Sequence, residues 1–272
     1  MERIISLSAA ALATFMLLTS GVQAAGQMEQ RMDNSISVIR DFTSIPETAI
    51  PDSLLRNAYG VAIIPNVIKI GLGIGGRYGK GTLTARRDDG SWSNPVFIKL
   101  GGGSFGWQMG AQSTDIVLVF KDRRSIEHID KGKLTLGGDA SVAAGPVGRS
   151  ASAATDHRLT AEIYSYSRNR GLFAGVALDG TWLGMDRAAN AEYYDSSMSP
   201  MQILDSQNMP APIAAQQFIE LMAASAPRLD MMPLSRSAAA APAQPDAEVK
   251  TYAIEPITEG NDSATGGDET MF

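Results

Sequence analysis

Six of the eleven residues from Gly71 to Gly81 are glycine: Gly71, Gly73, Gly75, Gly76, Gly79 and Gly81. Each glycine in a helix interior costs about 1 kcal/mol relative to alanine, so this stretch cannot start a stable helix. Ile70, Leu72 and Ile74 alternate with the glycines, and Leu83 follows, which points to sheet. There glycine permits tight bends, bulges and close approach of one backbone to another. Gly71-Leu72-Gly73-Ile74-Gly75-Gly76 also fits the G-x-G-x-x-G pattern. A dinucleotide site needs a helix to begin there and hold a pyrophosphate on its N-terminal amides, and this sequence excludes one.

The remaining pattern extends the sheet. Val61 to Ile64 is a short apolar run closed by Pro65. Two strands are expected in residues 70–87, with a turn near Gly79, followed by a turn at Asp88-Asp89-Gly90. Val96 to Leu100, Ser104 to Ala111, Asp115 to Phe120, Ala140 to Arg149, Ala161 to Arg168 and Gly171 to Trp182 read as further strands. Met28, Met32, Ile36, Ile39 and Phe42 recur at helical spacing on one face of an amphipathic helix. Short helices are expected at Asp52–Ala58, Ser125–Asp130 and Asp186–Tyr194, and a last one at Pro212–Ala224. The expected fold is α+β: a glycine-rich, strongly curved antiparallel sheet or barrel-like core with flanking N- and C-terminal helices.

The ends differ from the middle. Arg3, the uncharged run Ile4 to Leu18 and the small residues around Ala24 match an export signal cleaved after Ala24 or Ala25. The expected boundaries are therefore a signal peptide over 1–24, a domain over 25–224 and a disordered tail over 225–272. From Arg228 onward the tail holds eight acids and three bases. An envelope protein partner could engage it. The chain has no cysteine, which excludes disulfides, thiolate metal sites and thiol catalysis. The expected location is the periplasm or cell envelope.

The net charge of −6 argues against nucleic acid as a partner. Neither His128 nor His157 sits at a metal-ligand spacing, and no metal or cofactor is expected. Gly102-Gly103-Ser104-Phe105-Gly106 fits G-x-S-x-G, with Asp139 or Asp156 and His157 following in triad order. A nucleophile elbow needs a strand, a strained turn and a helix. Residues 107–110 read as strand, so a serine hydrolase at Ser104 is the lesser alternative. The basic clusters are more informative. Lys69, Arg77, Lys80, Arg86, Arg87 and Lys99 lie within about thirty residues, and Lys121, Arg123, Arg124, Lys131 and Lys133 form a second group. Such residues attract anionic headgroups, at about 1 kcal/mol each near a charged surface. A merely solvated face on a structural or protein-interaction domain is the alternative. The stripe Met28, Met32, Ile36 and Ile39 could contact a membrane or pack on the sheet, and the sequence leaves both open.

Several blocks in fixed order resemble the SYLF domain family. They include Tyr59-Gly60-Val61-Ala62-Ile63-Ile64-Pro65-Asn66-Val67, the glycine run through Gly81, and Gly101-Gly102-Gly103-Ser104-Phe105-Gly106. Gly110 to Asp115, Asp139 to Arg149, Ile163 to Arg168, Gly171 to Val176 and Tyr193-Tyr194 continue the match over about residues 28–223. The resemblance implies a non-enzymatic domain that binds phospholipids, phosphoinositides in eukaryotic relatives, through a basic surface and an amphipathic N-terminal helix. Some relatives bind actin. In an exported protein actin is not expected as a partner, which leaves an anionic phospholipid or membrane surface.

Overall fold

The computed structural model describes residues 26–42, 50–146, 160–169 and 172–227. The leader over 1–24, the tail from 228 onward, Asp156 and His157 lie outside them. Two strands dominate: β1 (Gly60–Ala85) and β2 (Val96–Phe120). They pair antiparallel from Gly60 opposite Phe120 to Leu83 opposite Val96, with irregularities between Ile64 and Val67 and between Gly71 and Gly73. The expected turn near Gly79 is absent. Residues 60–85 form one strand, and the three strands expected between Val96 and Phe120 are also one. Glycine interrupts neither strand and instead lets a continuous ribbon bend. The turn at Asp88-Asp89-Gly90 is present: Gly90 takes φ 83°, and Asp89 Oδ1 accepts from the Ser91 amide at 2.9 Å.

The ribbon doubles over itself. A Cβ on Gly81 would stand 2.1 Å from the Ile63 carbonyl oxygen, and one on Gly75 would stand 2.2 Å from that of Ile70. The second half of β1 thus crosses its first half at backbone contact, which only glycine allows. The base closes when the Arg86 amide donates to the Tyr59 carbonyl at 2.7 Å.

Shorter strands complete the sheet. β3 (Lys133–Thr135) pairs with β7 (Thr181–Met185), which pairs with one end of β2. β5 (Ile163–Asn169) pairs with the other end and carries β6 (Leu172–Gly175). The expected strand Ala140–Arg149 is reduced to β4 (Val142–Ala144), and it runs parallel to β5. The result is a strongly curled, half-barrel α+β sheet with helices at both ends.

Residues on β1 and β2 alternate between two apolar clusters. Val61, Ile63, Phe97, Val117 and Val119 face one, and Ala62, Ile64, Val67, Ile98 and Leu118 face the other. Burial on both faces explains why Val61–Ile64 reads as an unbroken apolar run. Helix α1 (26–42) lies over the first cluster with α2 (Asp52–Arg56). Helix α3 (Arg123–Lys131) sends Ile126 and Ile129 into the second cluster. Helices α4 (Arg187–Tyr193) and α6 (Ile213–Ser225) match expectation, and Ile213 at the start of α6 is 75% exposed. Helix α5 (Pro200–Asp205) was not expected. It is started by Pro200 at its first position and by a capping box between Ser199 and Gln202.

Candidate functional site

Helix α1 does not present its apolar stripe outward. Met28, Met32, Ile36 and Ile39 are at most 4% exposed and belong to the first core cluster. This corrects the membrane-contact expectation: the stripe is buried among sheet residues and has no free face to offer a bilayer. The period-3.6 pattern is the same for either role, so sequence could not separate them.

The six cations of the first basic group fare differently. Arg86 is only 8% exposed and is consumed by the fold. Its Nε donates to the Ala58 carbonyl and its Nη1 to that of Gly90, each at 3.0 Å, and its Nη2 donates to the Ala226 carbonyl. The guanidinium also lies 4.2 Å from the Trp92 ring centroid. Arg87 is half-buried and donates to the carbonyls of Trp92 at 2.8 Å and Ser206 at 2.7 Å. These two arginines staple the ribbon to segments before and after it, which corrects their assignment to a ligand surface.

Lys69 and Arg77 occupy the opposite side of β1 from Lys80. Gly79, between Arg77 and Gly81, faces Ile64 and Val67. Strand alternation puts Arg77 and Lys69 on that side and Lys80 on the other. Arg77 is half-buried, its Nε has no hydrogen-bond partner, and burial lowers its pKa. Lys69, Arg77 and Lys80, which belong to one basic group in the sequence, therefore divide between two faces.

Register brings other residues together. Lys80 lies opposite Lys99, Lys99 opposite Gly184, and Gly184 opposite Lys133. Directly opposed residues share a face, so Lys80, Lys99 and Lys133 form one row across β1, β2, β7 and β3. The neighbouring row runs Tyr78, Gly101, Trp182 and Thr135. Gly101 leaves room for the indole: a Cβ there would stand 2.5 Å from a Trp182 ring carbon. The Lys133 ammonium sits 4.6 Å from the Trp182 ring centroid.

Adjacent lysines repel, and the fold relieves this at the centre of the row. Lys99 Nζ lies 2.9 Å from Asp186 Oδ1, while Arg31 Nη1 lies 3.2 Å from Asp186 Oδ2. Burial pushes the Asp186 carboxyl up, but the hydrogen bonds and charges of Lys99 and Arg31 outweigh it and hold the pKa below the usual carboxylate value. Among the described residues no carboxylate ion-pairs with Lys80 or Lys133, and both are exposed. Sequence reasoning missed the contribution of Lys133 and Trp182, because only strand pairing unites the two basic groups.

Ser104 lies within the continuous strand β2, with no turn or helix after Gly106. The local backbone is therefore not a nucleophile elbow. Asp139 is engaged elsewhere, accepting from the Thr135 amide at 2.7 Å.

Residues 101–225 match a family model described as "Ysc84: Las17-binding protein actin regulator". The chain is 39% identical over 164 residues to SH3 domain-containing protein PJ696.02 of Schizosaccharomyces pombe, covering 59% of this chain and 38% of that protein. It is 33% identical over 201 residues to human SH3 domain-containing YSC84-like protein 1, covering 72% of this chain and 58% of that protein. It is 37% identical over 169 residues to LAS seventeen-binding protein 3 of Saccharomyces cerevisiae, covering 61% and 37%. The chain thus spans about 37–58% of the length of these relatives. The family description speaks of Las17 binding and actin regulation and one relative's name of binding LAS seventeen, so the expectation that actin plays no part has no support among them.

Proposed function

The chain belongs to the Ysc84 (SYLF) family, and from that premise we propose that it is a non-enzymatic module for anionic phospholipid surfaces, engaged through the lysine row. The observation that carries this reading is the alignment of Lys80, Lys99 and Lys133 on one sheet face beside Tyr78 and Trp182. Lys80 and Lys133 each contribute about 1 kcal/mol near an anionic surface. Lys99 contributes less, because Asp186 already neutralises it. Tyr78 and Trp182 have the amphipathic rings that favour the headgroup level. The leader pattern supports an exported location, tested by sequencing the N-terminus of the secreted product, which should begin at Ala25 or Gly26.

The test is flotation with vesicles of graded anionic content. Recovery should rise with the anionic fraction and fall as salt shortens the Debye length to about 3 Å at 1 M. Equal recovery on neutral and acidic vesicles refutes the proposal.

A second reading is favoured by the relatives' names: a protein-interaction module in which the same lysines meet an acidic protein surface. Salt-sensitive cosedimentation with actin filaments, together with no recovery on acidic vesicles, would favour it over the first. An envelope partner engaging the acidic tail is tested by pull-down with and without residues 225–272.

A further inference from the structure

We infer that the bend of the β1–β2 ribbon is an insertion edge, where Ile68, Ile70 and Tyr78 enter the boundary between headgroups and acyl chains while Lys80 meets the phosphates. This rests on the proposed lipid-surface function and adds which side chains leave water.

Among the described residues the exposed large hydrophobics are Ile68 at 50%, Ile70 at 60%, Tyr78 at 48% and Ile213. Three of the four belong to one stretch of β1. The same strand buries Val61 to Ile64, Val67 and Leu83 to 2% exposure or less, so among the described side chains of β1 the exposed large hydrophobics all lie between Ile68 and Tyr78. Isolated exposed apolar residues are ordinary, but a group of them marks an interaction site.

The doubled ribbon makes them a group. A Cβ on Gly79 would stand 2.7 Å from side-chain carbons of Ile64 and Val67, so the segment holding Tyr78 crosses directly over the segment that leads to Ile68. Ile68, Tyr78 and Lys80 line one open groove of about 510 Å³. Its rim on α1 supplies Gln27, Gln30, Asn34 and the cation Arg31, and no acidic residue lines it. Ile70 follows Ile68 by two positions in the strand and points to the same side.

These features fit a bilayer. A cation without an acidic neighbour suits the phosphate layer, tyrosine suits the headgroup level, and the isoleucines suit the upper acyl region. The predicted depth is about 5–10 Å into the boundary between headgroups and acyl chains, the range of interfacial elements.

The chain lacks cysteine, so a single introduced thiol reports only on its own position. The protein is labelled with an environment-sensitive dye at Ile70→Cys or, separately, at Ile213→Cys on α6. It is then mixed with vesicles of equimolar phosphatidylcholine and phosphatidylglycerol. The dye at position 70 should shift to the blue and be quenched by spin labels placed shallowly in the bilayer. The dye at position 213 should stay as in water. Cosedimentation with an unchanged signal at position 70, or an equal response at both positions, overturns insertion and leaves the headgroup reading standing. Absence of cosedimentation overturns both. The unlabelled variant I68S/I70S should partition about tenfold more weakly, since each isoleucine withdraws apolar area from water. Unchanged partitioning of that variant also counts against insertion.

Discussion

Arg86 stands in the sequence as one of six neighbouring cations, yet its guanidinium is spent on carbonyl oxygens and the Trp92 ring. Its residue type was legible, but its role was not, because the carbonyls come from Ala58, Gly90 and Ala226, the last 140 positions away. Arg86→Ala leaves those oxygens without a donor and should lower stability by about 3 kcal/mol. For a domain of this size that is a fall in Tm of roughly 6–12 °C, and Arg86→Lys should restore little of it, since lysine lacks the planar fork. Glycines likewise divide by position. Gly81→Ala pushes a methyl against the Ile63 carbonyl and should cost about 3 kcal/mol, whereas Gly103→Ala enters open space and should change stability by less than about 0.5 kcal/mol. Both are read from thermal unfolding. Asp186 adds a pH dependence. Its carboxyl is held below its unfolded value near about 4, so its stabilisation is present above that pH and is lost as pH falls through the folded value. The stability gap between the protein and Asp186→Asn should be constant from about pH 5 to 8 and shrink below about pH 4.

At the scale of elements, most helices were legible, among them α1 with its apolar stripe and α6 after Pro212. Strand existence was legible too, but strand length was not. Each glycine in residues 71–81 is compatible with a turn or with an uninterrupted bent strand, and only the pairing of β1 with β2 selects the second. The short helix α5 carried the signal Ser199-Pro200-Met201-Gln202, a cap followed by its box partner, which sequence reading passed over. Helix α1 belongs to the core, and at about 25 cal/mol per Å² its buried methionines and isoleucines stabilise the whole domain. Removing residues 26–42, or placing Asp at Met32, should therefore unfold the protein. A helix that merely attached the domain to lipid could be deleted with the fold intact, as circular dichroism on the truncated protein would show.

Across the whole molecule, the basic character was visible in the sequence as two separate groups, while the surface that matters draws Lys80 and Lys99 from one and Lys133 from the other. The curled sheet does this by pairing β3 with β7 and β7 with β2, a connection set by tertiary packing and absent from local spacing. The same curl sends Lys69 to the other face, although it lies close to Lys80 in the chain. The central claim is that one face, and not the net number of cations, attracts anionic lipid. Flotation of two charge-reversal variants, K80E/K133E and K69E, on acidic vesicles tests it most directly. The account predicts that K80E/K133E loses at least about tenfold in partitioning, in line with about 1 kcal/mol for each charge withdrawn. It predicts that K69E stays within about twofold of the parent. Equal losses in both variants, or no loss in the first, would contradict it.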